Sequence, residues 1–107
     1  MVAKRFEIWL VSLNPTVGAE MQKQRPAVVV SPDEMNERLH TVIVAPLTRR
    51  GFTAPFRVAC QVSGVTGQVA LDHLRSVDKQ RLARKVGQLD APTAASVLAT
   101  LREMFEE

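Results

Sequence analysis

Across residues 6–87 the apolar residues of this chain come in short β-branched or aromatic runs, most of them closed by a proline or a glycine. Phe6-Glu7-Ile8-Trp9-Leu10-Val11 stops at Asn14-Pro15, Ala27-Val28-Val29-Val30 lies between Pro26 and Pro32, and Thr41-Val42-Ile43-Val44-Ala45 is closed by Pro46. Runs of this length and composition, bounded by turn residues, read as strands. Residues 56–62 alternate at period two. Residues 68–72 form a further strand after a turn bracketed by Gly64 and Gly67, and residues 76–78 and 85–87 read as short closing strands around a helical turn at 79–84. Residues 33–40 read as a brief helical turn capped by Ser31 or Asp33, and 48–54 as a loop.

The pattern changes once. From Thr93 onward Ala94, Val97, Leu98, Leu101, Met104 and Phe105 form the stripe of an amphipathic helix, with Asp90 placed to cap it and Pro92 tolerated in its first turn. Many short strands with one packed helix predict a mainly β fold with α: a small, strongly bent sheet or barrel with the helix laid across it.

Length and composition bound the function. The 107 residues suit one domain spanning 1–107, and a hydrophobic fraction of 46% supports a packed core. No apolar segment approaches the ~20 residues a membrane helix needs, so no membrane partner is expected. The start, Met1-Val2-Ala3-Lys4-Arg5, has no apolar run leading to a cleavage site. The single Cys60 has no internal disulfide partner, which points to the cytoplasm. Net charge is +3, from 14 Lys+Arg against 11 Asp+Glu. Glu103, Glu106 and Glu107 concentrate acid at the end, leaving the body more basic, with runs at Arg49-Arg50 and at Lys79, Arg81, Arg84 and Lys85; the second run reads as a solvated face.

Cofactor chemistry is not expected. His40 and His73 are far apart, Cys60 has no ligand neighbour and sits at an apolar strand position, and no calcium loop or glycine-rich phosphate loop is present. What remains is polar residues at strand ends: Glu20, Lys23 and Arg25 in Gly18-Ala19-Glu20-Met21-Gln22-Lys23-Gln24-Arg25, Thr48 after Ala45-Pro46-Leu47, and Asp72-His73 after Val69-Ala70-Leu71. A bent sheet can bring such ends together around a phosphodiester. Cleavage of RNA by its own 2′-hydroxyl needs a proton acceptor, a proton donor and positive charge for the phosphorane, and arginine binds phosphate through a planar fork that stays charged. The same residues fit a plainer account. Glu20 and Lys23 then carry solvated charge, Arg25 sits exposed at a strand start, Thr48 bonds its own turn, and Asp72 caps the next one. His73 is then an ordinary surface residue and Trp9 a core residue. Spacing alone leaves both accounts open.

Three stretches, taken in order, resemble the MazF/PemK family of toxin ribonucleases: Ile8-Trp9-Leu10-Val11-Ser12-Leu13-Asn14-Pro15-Thr16-Val17-Gly18-Ala19-Glu20, then Arg25-Pro26-Ala27-Val28-Val29-Val30-Ser31, then Val42-Ile43-Val44-Ala45-Pro46-Leu47-Thr48. The similarity runs on through Asp72-His73-Leu74-Arg75-Ser76-Val77-Asp78-Lys79-Gln80-Arg81-Leu82 and the closing helix. The resemblance implies a small SH3-like β-barrel with a C-terminal helix, working as a homodimer. It implies metal-independent, sequence-specific cleavage of single-stranded RNA that leaves a 2′,3′-cyclic phosphate and a 5′-hydroxyl, and a cognate antitoxin that blocks the RNA groove. By position Arg25 and Thr48 match the catalytic arginine and threonine, Glu20 the loop glutamate, and Asp72 an aspartate of RNA binding or proton transfer. Asn14, Lys23, Gln24, Arg49, Arg50 and His73 are the expected RNA contacts, with residues 17–24 as a gate over the substrate.

Two positions depart from the family pattern. Some members carry an arginine two residues before the aspartate, where this chain has Ala70, and His73 stands where glutamine is common. The rival readings are a CcdB-like toxin that poisons DNA gyrase, whose C-terminal tail carries a tryptophan absent from Arg102-Glu103-Met104-Phe105-Glu106-Glu107, and an inactive RNA- or protein-binding barrel. Four Phe and one Trp are too few for a base-stacking platform.

Overall fold

A computed structural model describes residues 2–12, 23–49, 55–62 and 64–107. Asn14, Glu20 and Arg50, the turn at Asn14-Pro15 and all of the expected gate except Lys23 and Gln24 lie outside the described residues. β1 (Glu7–Ser12) pairs antiparallel with β2 (Gln24–Val29) on one edge and with β7 (Leu82–Gln88) on the other. β3 (Thr41–Thr48) follows β2 in the sheet, then β5 (Val65–Ala70), then β4 (Arg57–Val62). β6 (Arg75–Asp78) lies beside the first half of β3. The edge of β3 away from β2 is therefore shared, with β6 against Thr41 to Val44 and β5 against Leu47 and Thr48. Between those pairings residues 70–74 stand against only Ala45 and Pro46. An excess of residues on one strand bends a sheet and re-aims side chains, and here it holds the one-turn 3-10 helix Leu71–His73. The expected strand over 68–72 thus stops at Ala70, and Asp72 sits in the bulge.

Two proline boundaries also moved. β3 does not close at Pro46 but runs on through Thr48, and β2 begins at Gln24, before Pro26. A proline inside a ladder is tolerated where one side of its strand is unpaired. Pro46 falls in the gap between β6 and β5, and the β2–β3 ladder ends at Ala27, leaving Pro26 paired only with β1. Gly67 is not a turn residue either. It lies within β5 opposite Cys60, whereas Gly64 makes the turn with φ +77°. The helical turn after β6 is shorter than expected, Lys79–Arg81, because Leu82 already begins β7.

Strand alternation sends successive side chains to opposite faces, and both faces are covered. Ile8, Val28, Ala45, Cys60, Val69 and Leu71 pack with Ala94 and Val97 of α2 (Ala91–Phe105). Trp9, Val11, Ala27, Val29, Val42 and Val44 pack on the other side with Val77 and Leu82. This explains the near-continuous apolar runs of β2 and β3. Burial pushes the Cys60 thiol up, aided by the charge of Asp90. The curled antiparallel sheet with a helix across one face is the architecture expected from the sequence.

α2 begins at Ala91, and Asp90 accepts from the Thr93 amide at 2.8 Å. Ala94 and Val97 are buried and Leu101 packs on the core, but Met104 and Phe105 at the end of the stripe are exposed, Phe105 to 75%. α1 (Asp33–Arg38) carries no side-chain cap, against the expectation of Ser31 or Asp33. Asn36 is fully buried and needs partners, so Ser31 turns to it and also accepts from the Ile43 amide. Asp33 instead accepts from the Arg5 amide at 2.7 Å. No helix among the described residues is long and apolar enough to cross a membrane.

Candidate functional site

Arg25 is exposed on β2, in register with Val11 of β1. The β2–β3 ladder ends where Ala27 pairs with Pro46, so Arg25 lies two residues past that end on β2 and Thr48 two residues past it on β3, where β3 pairs with β5. Both residues thus stand at the open end of the β2–β3 pair, where the ladder has stopped.

Two cavities lie near this end, one walled by residues of each face of the sheet, and Pro26 lines both. The smaller, about 210 Å³, is lined by Arg25, His73 and Arg75, with Val11, Pro46 and Val77 among its apolar walls. The larger, about 370 Å³, is lined by Thr48, Arg49 and Arg84 over Leu10, Cys60 and Val86. Of the residues singled out in the sequence, Arg25 and His73 come together in one cavity and Thr48 and Arg49 in the other. Lys23 and Gln24 precede Arg25 as exposed residues and line neither. Cationic forks grouped on apolar walls suit a phosphodiester, since they offer fixed charge without a proton to lose.

Asp72 lies beside the smaller cavity and is fully engaged. Arg57 of β4 grips it with both arms, Nε to Oδ1 at 2.7 Å and Nη2 to Oδ2 at 2.9 Å. Arg57 is paired with Ala70 in the β4–β5 ladder. A guanidinium from the neighbouring strand thus reaches Asp72 beside Ala70. This fork holds the Asp72 carboxyl below the usual carboxylate range, so Asp72 stays ionised near neutral pH. Its Oδ2 is also 3.3 Å from Nε2 of His73.

A buried carboxylate, Glu7, was missed in the sequence. Glu7 accepts from the Lys4 amide at 2.7 Å and from the Trp9 indole at 3.1 Å, and pairs with Lys85 at 3.0 Å. Burial pushes its pKa up, but those hydrogen bonds outweigh burial and leave it lowered. It anchors β1 to β7 and takes no part in either cavity. Arg57, Arg75 and Arg84 were also missed as site residues. Arg84 had been placed on a solvated face, and nothing in the local spacing distinguishes Arg57 from any other strand residue. Among the described residues no three His, Cys, Asp or Glu side chains gather as a metal site requires.

The family described as "PemK-like, MazF-like toxin of type II toxin-antitoxin system" matches residues 4–105. Endoribonuclease PemK of Escherichia coli is 36% identical over 104 residues, covering 92% of this chain and 78% of PemK. Endoribonuclease MazF9 of Mycobacterium tuberculosis is 35% identical over 109 residues, covering 92% of each. The crystal structure of MazF from Deinococcus radiodurans superposes with a TM-score of 0.80 at 29% identity, covering 100% of this chain and 99% of that one. This chain belongs to the PemK-like, MazF-like family of type II toxin–antitoxin toxins.

Proposed function

We propose that this chain, an endoribonuclease of the PemK/MazF toxin family, cuts single-stranded RNA by attack of its 2′-hydroxyl, leaving a 2′,3′-cyclic phosphate and a 5′-hydroxyl without a metal ion. The observation that carries this is the exposed Arg25 guanidinium grouped with His73 and Arg75 in a basic cavity just past the end of the β2–β3 ladder. Arg25 binds the scissile phosphate and meets the charge that grows on it, and Thr48 donates a hydrogen bond to the same group. Fixed charge aimed at the transition state is commonly the largest catalytic contribution, about 3–4 kcal/mol per donor. Glu20, Asp72 and His73 are the candidates for proton transfer. Asn14, Lys23, Gln24, Arg49 and Arg50 guide the flanking nucleotides.

The same reading makes the chain a cytoplasmic homodimer held in check by a cognate antitoxin. The antitoxin part of this reading is supported by the Deinococcus radiodurans relative, solved as MazE–MazF at 30% identity and a TM-score of 0.81, covering 97% of this chain and 96% of that one. The exposed Met104 and Phe105 at the end of α2 offer an apolar patch for such a partner.

The test is purified protein with several long single-stranded RNAs in excess EDTA, comparing wild type with Arg25→Ala. Cleavage by wild type alone is expected. Equal product from both proteins removes Arg25 from the mechanism, and loss of cleavage in EDTA removes metal independence.

A further inference from the structure

Arg57 and Asp72 are brought together by tertiary structure alone. β4 pairs with β5, Arg57 stands opposite Ala70, and the Leu71–His73 turn returns the chain over that pair. The Arg57 side chain is only 9% exposed and its fork takes both carboxylate oxygens, which fixes a carboxylate that would otherwise rotate freely. Asp72 Oδ2 lies 3.3 Å from Nε2 of the largely exposed His73 ring, and His73 lines the cavity of Arg25 and Arg75.

We propose that Arg57 is a positioning residue for RNA cleavage: it fixes Asp72, Asp72 holds the His73 ring through Nε2, and Nδ1 is left to take the 2′-hydroxyl proton in the Arg25 cavity. This rests on the ribonuclease reading above and names the proton acceptor that it left open. An imidazole held by a carboxylate at one nitrogen keeps one tautomer and one orientation, with a lone pair on the other nitrogen for substrate. As Nδ1 takes the proton, the bond from the 2′-oxygen to phosphorus forms and the bond from phosphorus to the 5′-oxygen breaks. The imidazolium then passes the proton through water to the departing 5′-oxygen. The charged groups around the ring are Asp72 on its own turn, Arg57 from β4 behind Asp72, Arg25 from β2 and Arg75 from β6. The two cavity arginines meet the phosphate, and the Asp72 carboxylate offsets the charge that forms on the ring.

The experiment measures single-turnover cleavage of a long single-stranded RNA in EDTA from pH 5 to 9, for wild type, Arg25→Ala, Arg57→Gln, Asp72→Asn, His73→Gln and Arg57→Gln/His73→Gln. His73→Gln is expected to slow cleavage about 10²-fold and to remove the rising limb of the pH profile. Arg57→Gln is expected to slow it about tenfold, and the double variant to be no slower than His73→Gln, because Arg57 acts through the ring. Nitrogen-15 spectra of the His73 ring give an independent readout: wild type shows the Nε2–H tautomer, and Arg57→Gln or Asp72→Asn a mixture. Should Arg57→Gln fail to fold, Asp72→Asn carries the same comparison from an exposed position. An unchanged pH profile in His73→Gln, losses that add in the double variant, or an unchanged tautomer in both Arg57→Gln and Asp72→Asn overturns the proposal while Arg25→Ala still inactivates. No cleavage by wild type overturns the ribonuclease reading and this proposal together.

Discussion

Gly67 lies directly against the backbone of Thr48: a Cβ placed on it would come within 3.0 Å of the Thr48 carbonyl oxygen. The glycine is there because β5 must approach the end of β3 closely, not because of its φ angle. Removing a glycine's freedom in the unfolded chain would stabilise by about 0.4–1 kcal/mol, and forcing a methyl against backbone costs about 1–3 kcal/mol. Crowding wins. Gly67→Ala should lose about 1 kcal/mol in urea unfolding and also slow RNA cleavage by shifting Thr48. A stable variant with full activity would show that the strand end yields without consequence.

Arg25 is exposed and bears no structural duty that its loss would uncover. Arg25→Ala should lower the single-turnover rate by about 10²–10³-fold and leave the unfolding midpoint within about 0.5 kcal/mol of wild type. Measuring both on one preparation separates a lost catalytic charge from a damaged fold.

Glu7 makes stability depend on pH in a definite direction. Its folded pKa lies below its ordinary value, because hydrogen bonds from the Lys4 amide, Lys85 and Trp9 overcome burial. The stability it contributes is therefore fully present above the unfolded pKa, about 4.3, and is lost as pH falls through the lower folded value. Glu7→Gln should cost about 1–3 kcal/mol at pH 7, with the gap to wild type closing below about pH 4. Urea titrations at pH 7 and pH 3.5 test this, and a gap independent of pH would contradict it.

The apolar stripe of α2 divides into a part that folds the chain and a part that does not. Leu101 packs on the core beside Val97, while Phe105 is 75% exposed. Leu101→Glu should destabilise by about 2 kcal/mol, since it buries a carboxylate without a partner. Phe105→Ser should change stability by less than about 0.5 kcal/mol. Thermal unfolding distinguishes the two, and sedimentation of Phe105→Ser against wild type shows whether the exposed end supports self-association.

How much was legible in advance follows from how far each interaction reaches along the chain. Asp90 could be placed as the α2 cap because the bond to the Thr93 amide spans three residues. The runs of β1, β2 and β3 were visible because two covered faces demand continuous apolar residues. Their boundaries were not: whether Pro26 and Pro46 end a strand depends on which neighbour lies beside them. Ser31 was misread as a cap because its partner Asn36 is buried only once β3 lies against it.

The amino-acid order by itself determined a mainly β chain with one closing helix, an inert core cysteine, and the motif that marks Arg25 and Thr48, because periodicity, capping and motif spacing are local properties. The folded structure decided that Arg57 grips Asp72, that Gly67 must be bare beneath Thr48, and that Arg25 and Thr48 line two separate cavities that share Pro26. Those relationships arise from strand register and from a bulge between β5 and β6. Register is fixed by packing both faces of the sheet at once, so no short window of residues contains it.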